Sequence, residues 1–163
     1  MDAIQADNRQ ATKDGPLPGL LRPPLVFLAA ILLGIALNRA WSLPFMPSTL
    51  RLLGPLVTLC AVLLFLFSFR EFRAAGTSVR GSERTTTIVG TGPYRFSRNP
   101  IYLSFILLVL GLSVWLNDLW LLITLVPAVG VIAAVVIPRE ERFLERNFHE
   151  QYLSYKATVR RWL

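Results

Sequence analysis

The stretch GPYRFSRNPIYLSFILLVLGLSVWLNDLWLLITLVPAVGVIAAVVIPREERFLERNFHEQYLSYK runs from Gly92 to Lys156. It opens and closes on charged and aromatic residues. Between those ends lie two uncharged runs joined by Asn117-Asp118. Each run approaches the roughly 20 helical residues needed to cross a bilayer core of about 30 Å. The polar pair between them marks a turn, so the two runs read as a membrane hairpin. A hairpin returns both ends to one membrane face. The polar motifs Gly92–Tyr102 and Glu140–Lys156 are therefore expected side by side, next to lipid.

Working outward, two more uncharged runs precede the hairpin. The four runs are Pro23–Asn38, Leu52–Phe69, Asn99–Asn117 and Leu119–Pro138. The first is short and relies on Arg22 and Arg39 reaching out to the headgroups. Hydrophobic residues make up 53% of the 163 residues and charged residues 17%, a balance that belongs to a membrane protein. The expected fold class is all-α: a polytopic membrane protein with about four transmembrane helices and a C-terminal cytosolic amphipathic helix. Residues 1–22, broken at Gly15-Pro16-Leu17-Pro18-Gly19, read as a partly disordered cytosolic tail, and 23–163 as one domain. Thr85-Thr86-Thr87-Ile88-Val89 reads as a short extended stretch. Pro127 is expected to kink the fourth span.

Charge sets the topology. All but two of the 17 basic residues fall on one side of a four-span arrangement, the exceptions being Arg39 and Arg51. The positive-inside rule then puts both termini and both motifs in the cytosol, with the protein in an inner or cytoplasmic membrane. The net charge of +7 is accounted for by topology and anionic headgroups rather than by nucleic acid. The single cysteine, Cys60, forms no disulfide within the chain and reads as a small residue facing neighbouring helices. One cysteine and one distant histidine, His149, do not make a zinc or haem site, and no metal is expected. Gly90-Thr91-Gly92 lacks the third glycine and the βαβ setting of a dinucleotide loop. Ser97 and Ser104 have no histidine placed for a hydrolytic triad. No span carries an internal charge, which argues against an ion or proton path.

Read as a continuous helix, the C-terminal motif puts Glu141, Leu144, Phe148, Tyr152 and Tyr155 within about 80° of one another. Arg142, Arg146 and Glu150 fall on the opposite side. An amphipathic helix resting on headgroups gives the same pattern. The acidic pair Glu140-Glu141 directly after a span gains nothing from an anionic leaflet and calls for a cationic partner. In the loop, Gly92-Pro93 is a turn, Asn99 an N-cap and Pro100 a first helical residue. Arg95 and Arg98, with Tyr94 and Tyr102, crowd the same short segment.

The loop GPYRFSRNPIY followed by a hairpin and then EERFLERNFHEQYLSY resembles the signature of the isoprenylcysteine carboxyl methyltransferase group, related to the membrane phospholipid methyltransferases. The likeness spans about residues 76–162. It implies S-adenosylmethionine as cofactor, held at the cytosolic face, and a lipophilic acceptor entering from the bilayer. Tyr94, Arg98, Asn99, Pro100 and Tyr102 fall on the loop motif. Glu140, Glu141, Leu144, Phe148, Tyr152 and Tyr155 fall on the C-terminal one. The family pattern has histidine where Asn99 stands, and glycine where Ser104 and His149 stand. Asn99 cannot act as a base near neutral pH.

The resemblance implies Tyr94, Arg98, Asn99, Pro100, Tyr102, Glu141, Leu144, Phe148, Tyr152 and Tyr155 as cofactor-binding residues, with Arg98, Glu140 and Glu141 as candidate catalytic groups. The acceptor is left open between an isoprenylcysteine-type carboxylate, a phospholipid amine and a thiol. A non-catalytic ligand-binding member of the same fold is the alternative of another kind.

Overall fold

The structure, a computed structural model, describes residues 22–75 and 88–163. Residues 1–21 of the expected tail 1–22, and residues 76–87 with the threonine run Thr85–Thr87, lie outside the described residues; Ile88 and Val89, which are described, are not in a strand. The described residues are helical: α1 Pro23–Ala40, α2 Leu53–Ala74, α3 Pro100–Leu116, α4 Leu119–Val131 and α5 Ile137–Thr158. A 3-10 turn Ser48–Leu52 leads into α2, and another, Gly92–Arg95, precedes α3. A π turn, Ile132–Val136, joins α4 to α5 without interruption. Three of the described helices are long and apolar enough to cross a membrane: Pro23–Ala40, Ser48–Ala74 and the element starting at Leu119. The apolar α3 has 17 residues, about 25 Å at helical rise. The chain is an integral membrane protein with four apolar helices among the described residues, and α5 leaves the fourth.

Helix α2 lies along α3, and α1 along α4. Small residues allow the first contact: a side chain at Gly111 would run into the Thr58 backbone nitrogen, 2.7 Å from where its Cβ would sit. Close approach of this kind supplies van der Waals contact where lipid offers no hydrophobic drive between helices. Phe27, Val109, Leu121, Leu125, Ile132, Val136 and Ile137 form the buried cluster. Phe105 links it across the bundle, 5.3 Å from Phe27 and 5.6 Å from Phe65 between ring centroids. Leu residues 25, 28, 32 and 33 on α1 and 56, 59, 63 and 66 on α2 are exposed, as lipid-facing positions are. Cys60 is exposed with them rather than packed against a neighbouring helix, which corrects the sequence-based expectation.

Asn117 makes the hairpin turn in the left-handed region, φ 53°, which Asn tolerates better than most residues. Its Oδ1 accepts from the Phe45 and Met46 amides at 3.0 and 2.8 Å. Asp118 caps α4 by accepting from Trp120 N at 2.9 Å. The segment between α1 and α2 is thereby pinned to the hairpin tip, opposite the two polar motifs.

At the other end, the π turn sets which residues face inward. The buried positions step from Leu121 to Leu125, Ala128, Ile132 and Val136, then shift by one residue to Ile137 and Glu141. In an unbroken α-helix Glu141 would sit about 180° round from Ile132; the extra residue of a π turn takes back roughly 100° of that. Glu141 is thereby carried to the inner side and is buried. Pro127 lies inside α4, on its exposed side.

Candidate functional site

Helix α5 is not the continuous helix expected from the spacing. His149 has φ 40° and ψ −118°, and the helix changes direction there. The family glycine position is thus occupied by a histidine in backbone territory that favours glycine. Across the break, Lys156 Nζ reaches Glu145 Oε1 at 2.5 Å. The second half of α5 meets the loop, where Tyr155 donates its hydroxyl to the Tyr94 carbonyl at 2.8 Å. Burial places the Tyr155 phenol up at about 12. The break delivers the aromatic residues that the continuous-helix reading assigned to one face.

The loop is held from below. Tyr94 is buried and its ring lies 5.3 Å from Phe72 near the end of α2. Thr91 donates its hydroxyl to Glu71 of α2. Gly92 has φ +56°, and any side chain there would meet Glu71. Pro100 begins α3 as expected, but Asn99 does not cap it with its side chain. Its Nδ2 donates instead to the Arg161 carbonyl at 3.0 Å.

At the centre is Glu141, with its side chain 10% exposed. Arg161 grips it with two bonds, Nε to Oε1 at 3.1 Å and Nη2 to Oε2 at 2.7 Å. Arg98 stands on its other side, with Nη1 3.0 Å from Oε1. That contact is an ion pair outside hydrogen-bond geometry, because Arg98 Nε and Nη1 are both buried without a hydrogen-bond acceptor. Tyr152 is buried beside them, and its hydroxyl is pushed up by burial and by the Glu141 charge while Arg98 opposes the shift. The rings of Tyr152 and Tyr155 lie 6.2 Å apart. Leu144 and Phe148 are half-buried on the first half of α5. The cationic partner that the acidic pair called for is therefore present twice over.

Glu140 takes a separate partner. Tyr102, in the first turn of α3, donates its hydroxyl to Glu140 Oε1 at 2.6 Å. Glu140 lies just beyond Pro138, outside the fourth span. Burial raises its carboxyl from 4.5 to about 7; the Tyr102 hydrogen bond pulls the other way and the neighbouring Glu141 adds to the rise.

Of the residues singled out from sequence, Tyr94, Arg98, Asn99, Pro100, Tyr102, Glu140, Glu141, Tyr152 and Tyr155 converge on this one corner. In sequence Arg161 reads only as one of the basic residues on the side of the two motifs. The Arg160-Arg161 pair shortly after the aromatic motif is the one sequence signal that marked it.

The buried nitrogens of Arg98 fit a ligand with a carboxylate, and the Glu141 oxygens fit one with an amine or hydroxyls. S-adenosylmethionine carries all three groups. The family profile described as "Phospholipid methyltransferase" matches residues 49–151. An "Uncharacterized protein" of Haemophilus influenzae (strain ATCC 51907 / DSM 11121 / KW20 / Rd) is 38% identical over 63 residues, 39% of this chain and 100% of the relative. No solved structure matches. The matched segment runs from the entry to α2 to the turn before Tyr152 and contains both polar motifs up to that point. With most of the chain inside it, this protein belongs to the phospholipid methyltransferase family of membrane methyltransferases.

Proposed function

We propose that this protein transfers a methyl group from S-adenosylmethionine to the amine of a lipophilic acceptor at the membrane surface. The observation that carries the reading is the pair of carboxylates at the end of the fourth span. They are adjacent in sequence but differently partnered: Glu141 between two arginines, Glu140 under a tyrosine hydroxyl.

When bound, S-adenosylmethionine supplies a methyl group already activated for displacement by its sulfonium. Arg98 would take the cofactor's carboxylate on Nε and Nη1, and Glu141 its amino group or ribose hydroxyls. Tyr152, Tyr155 and Phe148 supply aromatic surface for the adenine or for the sulfonium charge. Tyr94 and Pro100 hold the loop in shape, Asn99 holds the segment after α5, and Leu144 lines the first half of α5.

The remaining chemistry is alignment, exclusion of water and removal of one proton. An ammonium headgroup has no lone pair, so an amine acceptor must lose a proton before it attacks. Glu140 is placed to take it. A carboxyl held near 7 is poised for that at neutral pH, as a carboxylate at its usual value is not. An isoprenylcysteine-type carboxylate or a thiolate needs no such base, so the Tyr102–Glu140 pair favours the amine. The positive-inside distribution of basic residues supports a cytosolic position for this corner, with both termini on the same side.

The experiment is tritium transfer from methyl-labelled cofactor in vesicles containing the purified protein. Aminophospholipid, prenylcysteine analogue and small thiol are offered separately. Label in the aminophospholipid supports the reading. Label only in the prenylcysteine would move the acceptor to a carboxylate, and no label in any class would remove the enzymatic reading.

A further inference from the structure

Arg161 lies beyond residue 151, outside the segment matched to the family. Its backbone is fastened to the loop it serves. Arg98 N donates to the Arg160 carbonyl at 2.9 Å. Ser97 Oγ and Asn99 Nδ2 both donate to the Arg161 carbonyl, at 3.3 and 3.0 Å. Trp162 packs against the buried apolar cluster. The Arg161 guanidinium is thus delivered to Glu141 by a backbone pinned on either side of it.

Two guanidiniums share one carboxylate, which leaves one positive charge in excess at a site largely withdrawn from water. The two cations are not equivalent. Arg161 makes the fork-to-fork pair, while Arg98 touches Glu141 through Nη1 alone. Arg98 is also the more deeply placed, its side chain 11% exposed against 39% for Arg161. A buried charged donor without an acceptor is costly, and the cost is relieved by a bound anion.

We infer that Arg161 is a positioning residue of the cofactor site: by occupying Glu141, it keeps Arg98 free for the carboxylate of the ligand. Without Arg161, Glu141 is left with Arg98 as its cation, and the fork of Arg98 turns onto it. The donors that would hold the ligand's carboxylate are then consumed inside the protein. Asn99, standing where the family pattern has histidine, holds the Arg161 backbone in place. This inference rests on the cofactor reading above.

The test compares S-adenosylmethionine with its decarboxylated form, which lacks only the carboxylate. Affinities of the full chain in nanodiscs are measured by calorimetry for the wild type, Arg161→Gln and Arg161→Lys. The wild type is expected to prefer the carboxylated ligand by about tenfold or more, the range of a charge-assisted hydrogen bond. Arg161→Gln is expected to bring that preference close to one while binding of the decarboxylated ligand changes by less than about threefold. Arg161→Lys, a cation without the fork, should restore part of the preference.

An equal loss of both ligands in Arg161→Gln would mean a merely structural role and would overturn the inference, as would an unchanged preference. A wild type that binds neither ligand would overturn the cofactor reading itself. The melting temperature of each variant serves as the folding control.

Discussion

Lys156 and Glu145 meet at 2.5 Å although they are eleven residues apart in what is otherwise one helix. Eleven residues of unbroken α-helix would separate their backbones by roughly 16 Å along the axis. The pair therefore reports the bend at His149, and that bend brings Tyr152 and Tyr155 to Arg98 and Tyr94. The geometry of the site depends on a backbone conformation that its own residue does not favour.

Replacing His149 should accordingly move stability in a residue-specific direction. At φ 40° a Cβ is strained, so His149→Gly is expected to raise stability by about 1 kcal/mol. His149→Val should lower it by a similar amount, since β-branching tolerates this region least. Thermal unfolding in detergent, followed by circular dichroism, checks both signs.

Glu140 gives the site a pH dependence. If Glu140 is the base, as proposed, it must be ionised, so turnover of an amine acceptor should rise through about pH 7. Glu140→Gln should abolish that limb and lower kcat by about 10²–10⁴-fold. Tyr102→Phe removes the hydrogen bond that favours the ionised carboxylate, and should shift the limb to higher pH. Stability follows the opposite sign. The folded protein holds this proton more tightly than the unfolded chain, so the group's stabilising contribution is complete below 4.5 and is lost as pH rises through about 7. Rates measured between pH 5.5 and 9, alongside melting temperatures, separate the two effects.

Close helix contact should be unforgiving at the α2–α3 crossing. At Gly111 a new Cβ would meet the backbone of Thr58, which cannot move aside as a flexible side chain can. Gly111→Ala is expected to cost about 1–3 kcal/mol and Gly111→Leu more. At Gly130 nothing stands within 4 Å of the added atom, so Gly130→Ala should be tolerated. Melting temperatures of the three variants test the contrast.

Much of this was legible in the sequence because bilayer thickness and charge leave little freedom. The Asn117-Asp118 turn and the two uncharged runs around it specify a hairpin, and the hairpin returns Arg98 and Glu141 to one corner. Two features were not legible. The π turn at Ile132–Val136 is an insertion within a run that is apolar on all sides, so no periodicity betrays it. The break at His149 is masked because Tyr152 and Tyr155 keep helical spacing to Glu141 on paper, while in the fold they reach the site across a kink. Asn99 looked like a cap from its place before Pro100, but its side chain is drawn to the Arg161 carbonyl by a segment distant in sequence.

The central claim is that the Arg98–Glu141 corner holds the cofactor. Calorimetric titration of S-adenosylhomocysteine into the purified protein, with Glu141→Gln and Arg98→Ala beside the wild type, tests it most directly. Each substitution removes charge-assisted hydrogen bonds worth about 1.5–3 kcal/mol, so affinity should fall by roughly 10- to 100-fold in each variant while the fold is retained. Wild-type affinity in both variants would contradict the account.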